Sequence, residues 1–461
     1  MSDILSEPIV TERPRTRCAV FVPLIGRGGP KKPIADPDAP SGSGRRQPFR
    51  APQAQLEEAV GLAAAIDLDI VLTDISRVPN FKPATLFGSG KVEELKQAMI
   101  ENAVDLVMVD HPLTPVQQRN LERAWQVKVL DRTGMILEIF GARAQTKEGR
   151  LQVELAALRY QRGRLVRSWT HLERQRGGGG FLGGPGETQI ESDRRELQNK
   201  IERLEEQLEE VRRTRALHRK QRVKQEIAVI AFVGYTNAGK STLFNRITNA
   251  DVLAENLLFA TLDPTLRKMT LPEGTDVVFS DTVGFISKLP TDLVAAFRAT
   301  LEEVITADII VHVRDIAHPD SRAQAEDVRS VLSDLDVDVS NPERLTEDGR
   351  HYLEVWNKVD LLTEDEREKM DDLLIGQDFP SVFPLSATTG EGVDQLLAFL
   401  EKCVNAGQVM RTLTLEGAEL SKLHRLYELG TVLDRQSTEE GAVIIKIRSE
   451  RWPEIDRIFK K

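Results

Sequence analysis

Gly234-Tyr235-Thr236-Asn237-Ala238-Gly239-Lys240-Ser241, followed by Thr242, places two glycines, a lysine and a hydroxyl in the order G-x-x-x-x-G-K-S. Backbone N–H groups of such a loop point inward at a phosphate, assisted by the N-terminus of the helix that follows. Lys240 would reach the β- and γ-phosphates, and the Ser241 hydroxyl would ligate Mg²⁺. The context is the required one. An apolar run, 227–233 (IAVIAFV), reads as a buried parallel strand before the loop, and 242–247 reads as an amphipathic helix after it.

Further polar residues follow at spacings that suit one ligand. Thr261, in Leu258-Phe259-Ala260-Thr261-Leu262-Asp263-Pro264, is a second candidate hydroxyl for Mg²⁺, and Phe259 and Ala260 beside it count as nucleotide contacts. Asp281-Thr-Val-Gly284 is a D-x-x-G. Its carboxylate would hold Mg²⁺ through water, and the Gly284 N–H would touch the γ-phosphate. Asn357-Lys358-Val-Asp360 ends a strand-like stretch. Asp360 would accept from guanine N1–H and N2–H₂, a donor pair adenine lacks. Asn357 would contact N7 and the loop, and the Lys358 stem would cover the base. The backbone of Ser386-Ala387 would meet guanine O6. A turn fits each motif alone, but the steps from 240 to 261, 281, 357 and 386 make a guanine-nucleotide-binding domain.

One position departs from the small GTPases. Where they carry a glutamine that orients the attacking water, this chain has Phe285, so unassisted hydrolysis should be slow and no catalytic side chain is assigned. Asn237 stands where some GTPases ligate K⁺; an ordinary loop asparagine is the plainer reading.

The elements that must carry these groups come from the rest of the 461 residues, enough for roughly two to four domains. Residues 1–150 alternate short apolar strands (18–24, 70–72, 106–109, 127–130) with helices (92–100, 116–125), a small parallel α/β layer interrupted by a Gly/Pro-rich insertion at 25–50. Residues 151–226 carry two apolar stripes, Leu151, Leu155, Leu158, Leu165, Trp169, Leu172 and Ile190, Leu197, Ile201, Leu204, Leu208, Val211. At that spacing each lines one face of a helix, predicting an antiparallel hairpin with arms of about 25 residues. Its loop, residues 177–186, holds seven glycines around Phe181 and Leu182. Residues 227–406 form the nucleotide domain, with a mostly parallel sheet between helices, and 407–461 a small α+β tail. Gly88-Ser-Gly-Lys91 is too short for a second phosphate loop and reads as a turn, which leaves no basis for an ATP-driven helicase in 1–150.

Charge is divided along the chain. Residues 1–226 carry 37 basic and 31 acidic side chains, and 227–461 carry 25 and 41. Between 143 and 180, nine basic residues face three acids. A basic patch is a footprint for polyphosphate, although a solvated helix face gives the same composition. Two distant cysteines, Cys18 and Cys403, suggest a reducing compartment. No long apolar run or secretory pattern is visible, so membrane spans and export are not expected.

The motifs together resemble the HflX family of ribosome-associated GTPases. The stretches that match are Phe87-Gly-Ser-Gly-Lys-Val-Glu-Glu-Leu95, Leu113-Thr-Pro-Val-Gln-Gln-Arg-Asn-Leu-Glu122, Asp131-Arg-Thr-Gly-Met-Ile-Leu-Glu-Ile-Phe140, Gln152-Val-Glu-Leu155, Gly183-Gly-Pro-Gly-Glu-Thr-Gln189, Phe259–Pro264 and Asp281–Phe285. The insertion at 25–50 has no counterpart. The resemblance implies a cytoplasmic, monomeric GTPase that binds the large ribosomal subunit and splits stalled or stress-inactivated ribosomes. In this scheme Gly177, Gly178, Gly179, Gly180, Phe181, Leu182, Gly183 and Gly184 reach ribosomal RNA, with Arg162, Arg164, Arg167, Arg174 and Arg176 supplying charge. A GTP-dependent assembly or sensing module that docks on RNA without splitting anything is the alternative.

Overall fold

The fold is that of a computed structural model, which describes residues 15–25, 50–175, 185–224, 227–250, 258–287, 301–339, 350–375, 382–406, 409–438, 442–449 and 451–459. Of the insertion expected at 25–50, residues 26–49 lie outside them, while Ile25 ends the first strand and Arg50 pairs with Glu58.

The first unit is a four-stranded parallel sheet of β1 (Arg17–Ile25), β2 (Asp69–Val78), β3 (Leu106–Val109) and β4 (Lys128–Asp131), in the order β2-β1-β3-β4. Its strands carry apolar side chains on both faces because helices cover both. On one side α2 (Ser89–Glu101) and α3 (Pro115–Trp125) bury Val92, Leu95, Leu121 and Trp125. On the other, α1 (Pro52–Ala64) and α4 (Arg132–Arg143) contribute Leu62, Ile136 and Phe140 to a core that continues into the nucleotide domain through Phe259, Val283 and Phe285. Helix α3 starts sharply: Thr114 and Gln117 form a reciprocal capping box ahead of Pro115. Gly88 to Lys91, read as a turn, is the start of α2 instead, because Gly88 is its N-cap residue.

The hairpin is α5 (Lys147–Gln175) and α6 (Pro185–Lys224). Leu151, Leu155 and Leu158 pack against Ile201, Leu204 and Leu208. Arg159 meets Glu205 at 2.7 Å and Arg162 meets Gln198 at 2.6 Å, which fixes an antiparallel register. The arms are unequal, contrary to the 25-residue expectation: 29 residues in α5 and 40 in α6, where the polar run after Val211 continues the helix. Pro185 and Gly186, read as loop, open α6, with proline in the first turn where its missing N–H costs nothing. The expectations for Arg176 and for Gly177 through Gly184 fall outside the described residues, as do the side chains of Leu165, Arg167, Trp169, Leu172, Arg174 and Ile190.

The second sheet has six strands: β5 (Ala228–Gly234), β6 (Thr265–Thr270), β7 (Asp276–Asp281), β8 (Ile309–Asp315), β9 (His351–Asn357) and β10 (Val382–Pro384), ordered β10-β9-β8-β5-β7-β6. Only β6 runs antiparallel. Helix α7 (Lys240–Thr248) follows the phosphate loop. The tail is a three-stranded antiparallel sheet, β11 (Val409–Leu415), β12 (Thr431–Ser437) and β13 (Val443–Ser449), with β13 central and the helices Leu423–Leu429 and Trp452–Phe459 closing its core. Strand β12 was not expected; its polar sequence at a sheet edge carries little apolar signal. Among the described residues no helix is long and apolar enough to cross a membrane.

Candidate nucleotide site

The site forms where β5, β7, β8 and β9 end, the carboxyl edge at which open parallel sheets bind ligands. The phosphate loop bends away from β5 at Gly234, passes Asn237 in the left-handed region at φ 59° and enters α7 after Gly239 at φ 94°. Gly239 has a second reason to be glycine: a Cβ there would stand 2.1 Å from Asn357 Nδ2. Asn357 joins the two halves of the site, donating to the Ala238 carbonyl at 2.8 Å and accepting from the Ala387 N–H at 2.9 Å.

Lys240 is buried and donates to the carbonyls of Gly234 and Tyr235 at 3.1 and 2.8 Å. Burial lowers its pKa to about 8, with Asp281 opposing. Ser241, Thr261 and Asp281 converge: the two hydroxyls lie 2.8 Å apart, and Asp281 Oδ2 accepts from them at 2.7 and 3.0 Å. Asp281 is fully buried, which pushes its carboxyl up against the hydrogen bonds that hold it down. Its Oδ1 has no hydrogen-bond partner among the described residues. Two hydroxyls and a carboxylate with one buried oxygen to spare fit a hard divalent cation such as Mg²⁺. Thr236, Asn237, Thr242, Ala260 and Gly284 line the same cleft.

The residues expected to meet the base sit on the far side. Lys358 is left-handed at φ 68°, and its Nζ meets Asp315 Oδ2 at 2.7 Å. Asp360 follows, exposed, in a single 3₁₀ turn. Ser386 is buried and accepts from Thr389 N–H at 3.0 Å, shaping the turn that presents the Ala387 N–H.

Several expected contacts are placed differently. Phe259 borders the cleft with Ala260, but its side chain is 2% exposed and its ring packs edge-to-face on Phe140 with centroids 4.7 Å apart, so the ring belongs to the interdomain core. Phe285 is also buried, and its backbone pairs with the phosphate loop: its N–H donates to Gly234 at 3.0 Å, and its carbonyl accepts from Thr236 at 2.7 Å. Arg164, expected to face RNA, is drawn inward. It lies 3.5 Å from Asp131, donates to the Leu113 carbonyl at 3.3 Å and covers the Tyr160 ring at 4.9 Å. The carboxylate it faces is buried and also accepts from the Tyr160 hydroxyl at 2.7 Å.

A second polar cluster at the domain boundary was missed. Glu58 accepts from the Tyr235 hydroxyl, and from Arg50 at 3.0 Å; Arg50 also pairs with Asp327. Arg132 pairs with Glu58 and Asp110, and Ser287 N–H donates to the Tyr235 hydroxyl at 2.8 Å. Burial works against the Glu58 carboxylate, but Arg132 and Arg50 outweigh it and hold it below the usual range. No periodicity announces such a cluster; its traces are that Arg132 and Tyr235 lie within quoted motifs and Ser287 lies two residues beyond one.

Comparison with known proteins agrees with this geometry. Four family models match consecutive parts of the chain: GTP-binding GTPase N-terminal (53–141), GTP-binding GTPase Middle Region (143–222), 50S ribosome-binding GTPase (229–358) and HflX C-terminal domain (376–457). GTPase HflX of Magnetococcus marinus is 48% identical over 401 residues, covering 86% of this chain and 88% of that one.

The chain belongs to the HflX family of GTPases.

GTPase HflX of Escherichia coli is 43% identical, covering 85% of this chain and 88% of its own. A solved structure described as the SsGBP and GDP complex aligns over 84% of this chain and 98% of that one, at 21% identity and a TM-score of 0.45. As an HflX-family GTPase the chain converts GTP and water to GDP and phosphate, and the P-loop fold described above is the family's nucleotide domain.

Proposed function

We propose that this GTPase binds the large ribosomal subunit and uses GTP to separate stalled or stress-inactivated ribosomes in the cytoplasm. The observation that carries the reading is the match of residues 229–358 to the 50S ribosome-binding GTPase model in a chain whose basic hairpin is built into the nucleotide domain. RNA would attract residues 143–180 by counterion release and repel the acidic half, so binding should weaken steeply with salt.

Within the site, the phosphate-loop N–H groups and Lys240 hold the β- and γ-phosphates, and Asp360, Asn357, Lys358 and the Ala387 N–H hold guanine. Ser241 and Thr261, with Asp281 through water, would hold Mg²⁺, which when bound neutralises charge between the phosphates. Gly284 offers its N–H to the γ-phosphate. Phe285 is locked in the core and cannot orient water, so the group that does is supplied by the partner or by movement of this chain. Turnover should therefore be slow alone and rise on adding purified large subunits; no stimulation would count against the reading. If Asn237 ligates K⁺, hydrolysis is faster in potassium than in sodium.

Sucrose-gradient sedimentation of intact ribosomes with GTP or a nonhydrolysable analogue separates splitting from docking. Free subunits support the proposal, whereas co-sedimentation without separation supports the alternative module. Replacing Arg162 and Arg167 together, with Arg164 left in place because it serves Asp131, should lower ribosome affinity in a pelleting assay while GTP affinity stays the same; equal ribosome affinity would remove the claim.

A further inference from the structure

Asp263 lies two residues beyond Thr261, yet its carboxylate is engaged outside the nucleotide domain. It accepts from the backbone N–H groups of Gln145 and Thr146, both at 2.9 Å, and from the Thr146 hydroxyl. Thr146 in turn caps α5, its Oγ1 accepting from Gly149 N–H at 2.9 Å. A Cβ at Gly149 would stand 2.3 Å from Asp263 Oδ1, so the helix carries glycine at the point where the carboxylate docks. Upstream, Phe259 is left-handed at φ 57° and packs on Phe140, and Leu258 reaches to 3.1 Å from where a Gly61 Cβ would be. The segment 258–263 is thus clasped by α1, α4 and the cap of α5. Thr261 sits between two of the clasps with its hydroxyl on Ser241 and Asp281.

We propose that Asp263 is a positioning residue for GTP hydrolysis: docked on the α5 cap, it sets the Thr261 hydroxyl at the metal site, and the same contact ties the hairpin arm to the nucleotide. The inference rests on the assignment of Thr261 to Mg²⁺. A carboxylate accepting three donors from another unit restricts the backbone two residues away, and a hydroxyl misplaced by about an ångström is enough to slow a reaction severely. Coupling of this kind is reciprocal, so whatever engages Thr261 also steadies the first turn of α5. The simpler role, a helix cap and nothing more, predicts a loss of stability without any change in metal dependence.

The test uses the full chain without ribosomes. It measures the Mg²⁺ concentration that half-saturates binding of a nonhydrolysable GTP analogue, the affinity for GDP, and kcat and KM for GTP. Asp263→Asn, Thr146→Val and Gly149→Ala should each raise the Mg²⁺ requirement for the analogue and lower kcat by about tenfold. GDP affinity should stay at the parent value, because the γ-phosphate side of the site alone is disturbed. Asp263→Asn combined with Thr146→Val should cost less than the two single effects added, since the Thr146 hydroxyl is one of the three donors the carboxylate holds. Thr261→Ala is the control. If it shifts the Mg²⁺ requirement and Asp263→Asn does not, the positioning role is overturned and the Thr261 assignment stands. If Thr261→Ala leaves the requirement unchanged, both fall. A variant that only melts earlier, with kcat and metal dependence intact, also overturns the proposal.

Discussion

Arg132, at the start of a helix in the N-terminal unit, donates through Nη2 to both the carbonyl oxygen and the hydroxyl of Ser287, each at 3.0 Å. Ser287 lies three residues beyond Gly284, so a buried cation in one unit braces the segment proposed to meet the γ-phosphate in the other. Replacing Arg132 with methionine would leave Glu58 and Asp110 buried without their shared counter-charge. Breaking one partner of a buried ionic cluster costs about 3–5 kcal/mol. Urea unfolding of Arg132→Met should show a loss of that order; a loss under about 1 kcal/mol, as for an exposed pair, would mean the cluster is solvated.

Gly239→Ala should bind GTP about tenfold to a hundredfold more weakly without unfolding. The left-handed backbone and the nearby Asn357 amide both resist a Cβ, and local strain of this kind costs about 1–3 kcal/mol. Calorimetry with GTP, beside circular dichroism of the same sample, checks this. Unchanged affinity would show that Asn357 can move aside.

Asp360→Ala should reduce the preference for GTP over ATP. A hydrogen bond to a charged acceptor contributes about 1.5–3 kcal/mol, a factor of roughly ten to a hundred per bond. Competition of GTP and ATP for a fluorescent guanine nucleotide measures the ratio. If the parent chain binds both equally, the assignment of the base site fails.

Acid should destabilise the nucleotide domain in two separable stages. His312 is buried beside the Tyr352 hydroxyl at 2.7 Å, and burial lowers its pKa from 6.5 to about 3. The unfolded chain therefore gains a proton as pH falls through 6.5 while the folded one does not, and stability drops from 6.5 toward 3 by up to about 1.4 kcal/mol per pH unit. Burial alone would raise Glu354, but His312 and the guanidiniums of Arg314 and Arg329, each 2.6 Å away, hold it down to about 2 from 4.5. Its contribution is present above 4.5 and is lost as pH falls toward 2. Unfolding curves of His312→Gln should flatten between pH 6.5 and 4.5, and those of Glu354→Gln only below 4.5. Parallel slopes in parent and His312→Gln would refute the first stage.

The nucleotide domain was legible because phosphate and metal chemistry demand fixed residue types on strand ends, and 227–233 announces its strand by apolar continuity alone. The hairpin was legible because a stripe at helical spacing must find a partner, and Leu151 to Leu158 found Ile201 to Leu208. Interdomain contacts were not. Phe259 reads as a loop residue beside a threonine, and only its φ and its seat on Phe140 show an anchor. Arg164 reads as one charge in a basic run, because nothing in the run marks which arginine lies over a buried aspartate from a different strand. Asp263 sits inside a recognisable motif, but two of its three donors are backbone N–H groups at residues 145 and 146, which leave no side-chain signature.

Helix α6 ends at Lys224, and β5, the strand that delivers the phosphate loop, begins at Ala228. At 1.5 Å per residue its 40 residues make a rod of roughly 60 Å that ends four positions before a strand in the middle of the sheet. A tilt of about 10° at its base, the scale of an ordinary hinge motion, would sweep its far end through roughly 10 Å. A displacement of ångström scale near the phosphate loop, if passed along α6, would reach the dimensions of a macromolecular interface at its far end.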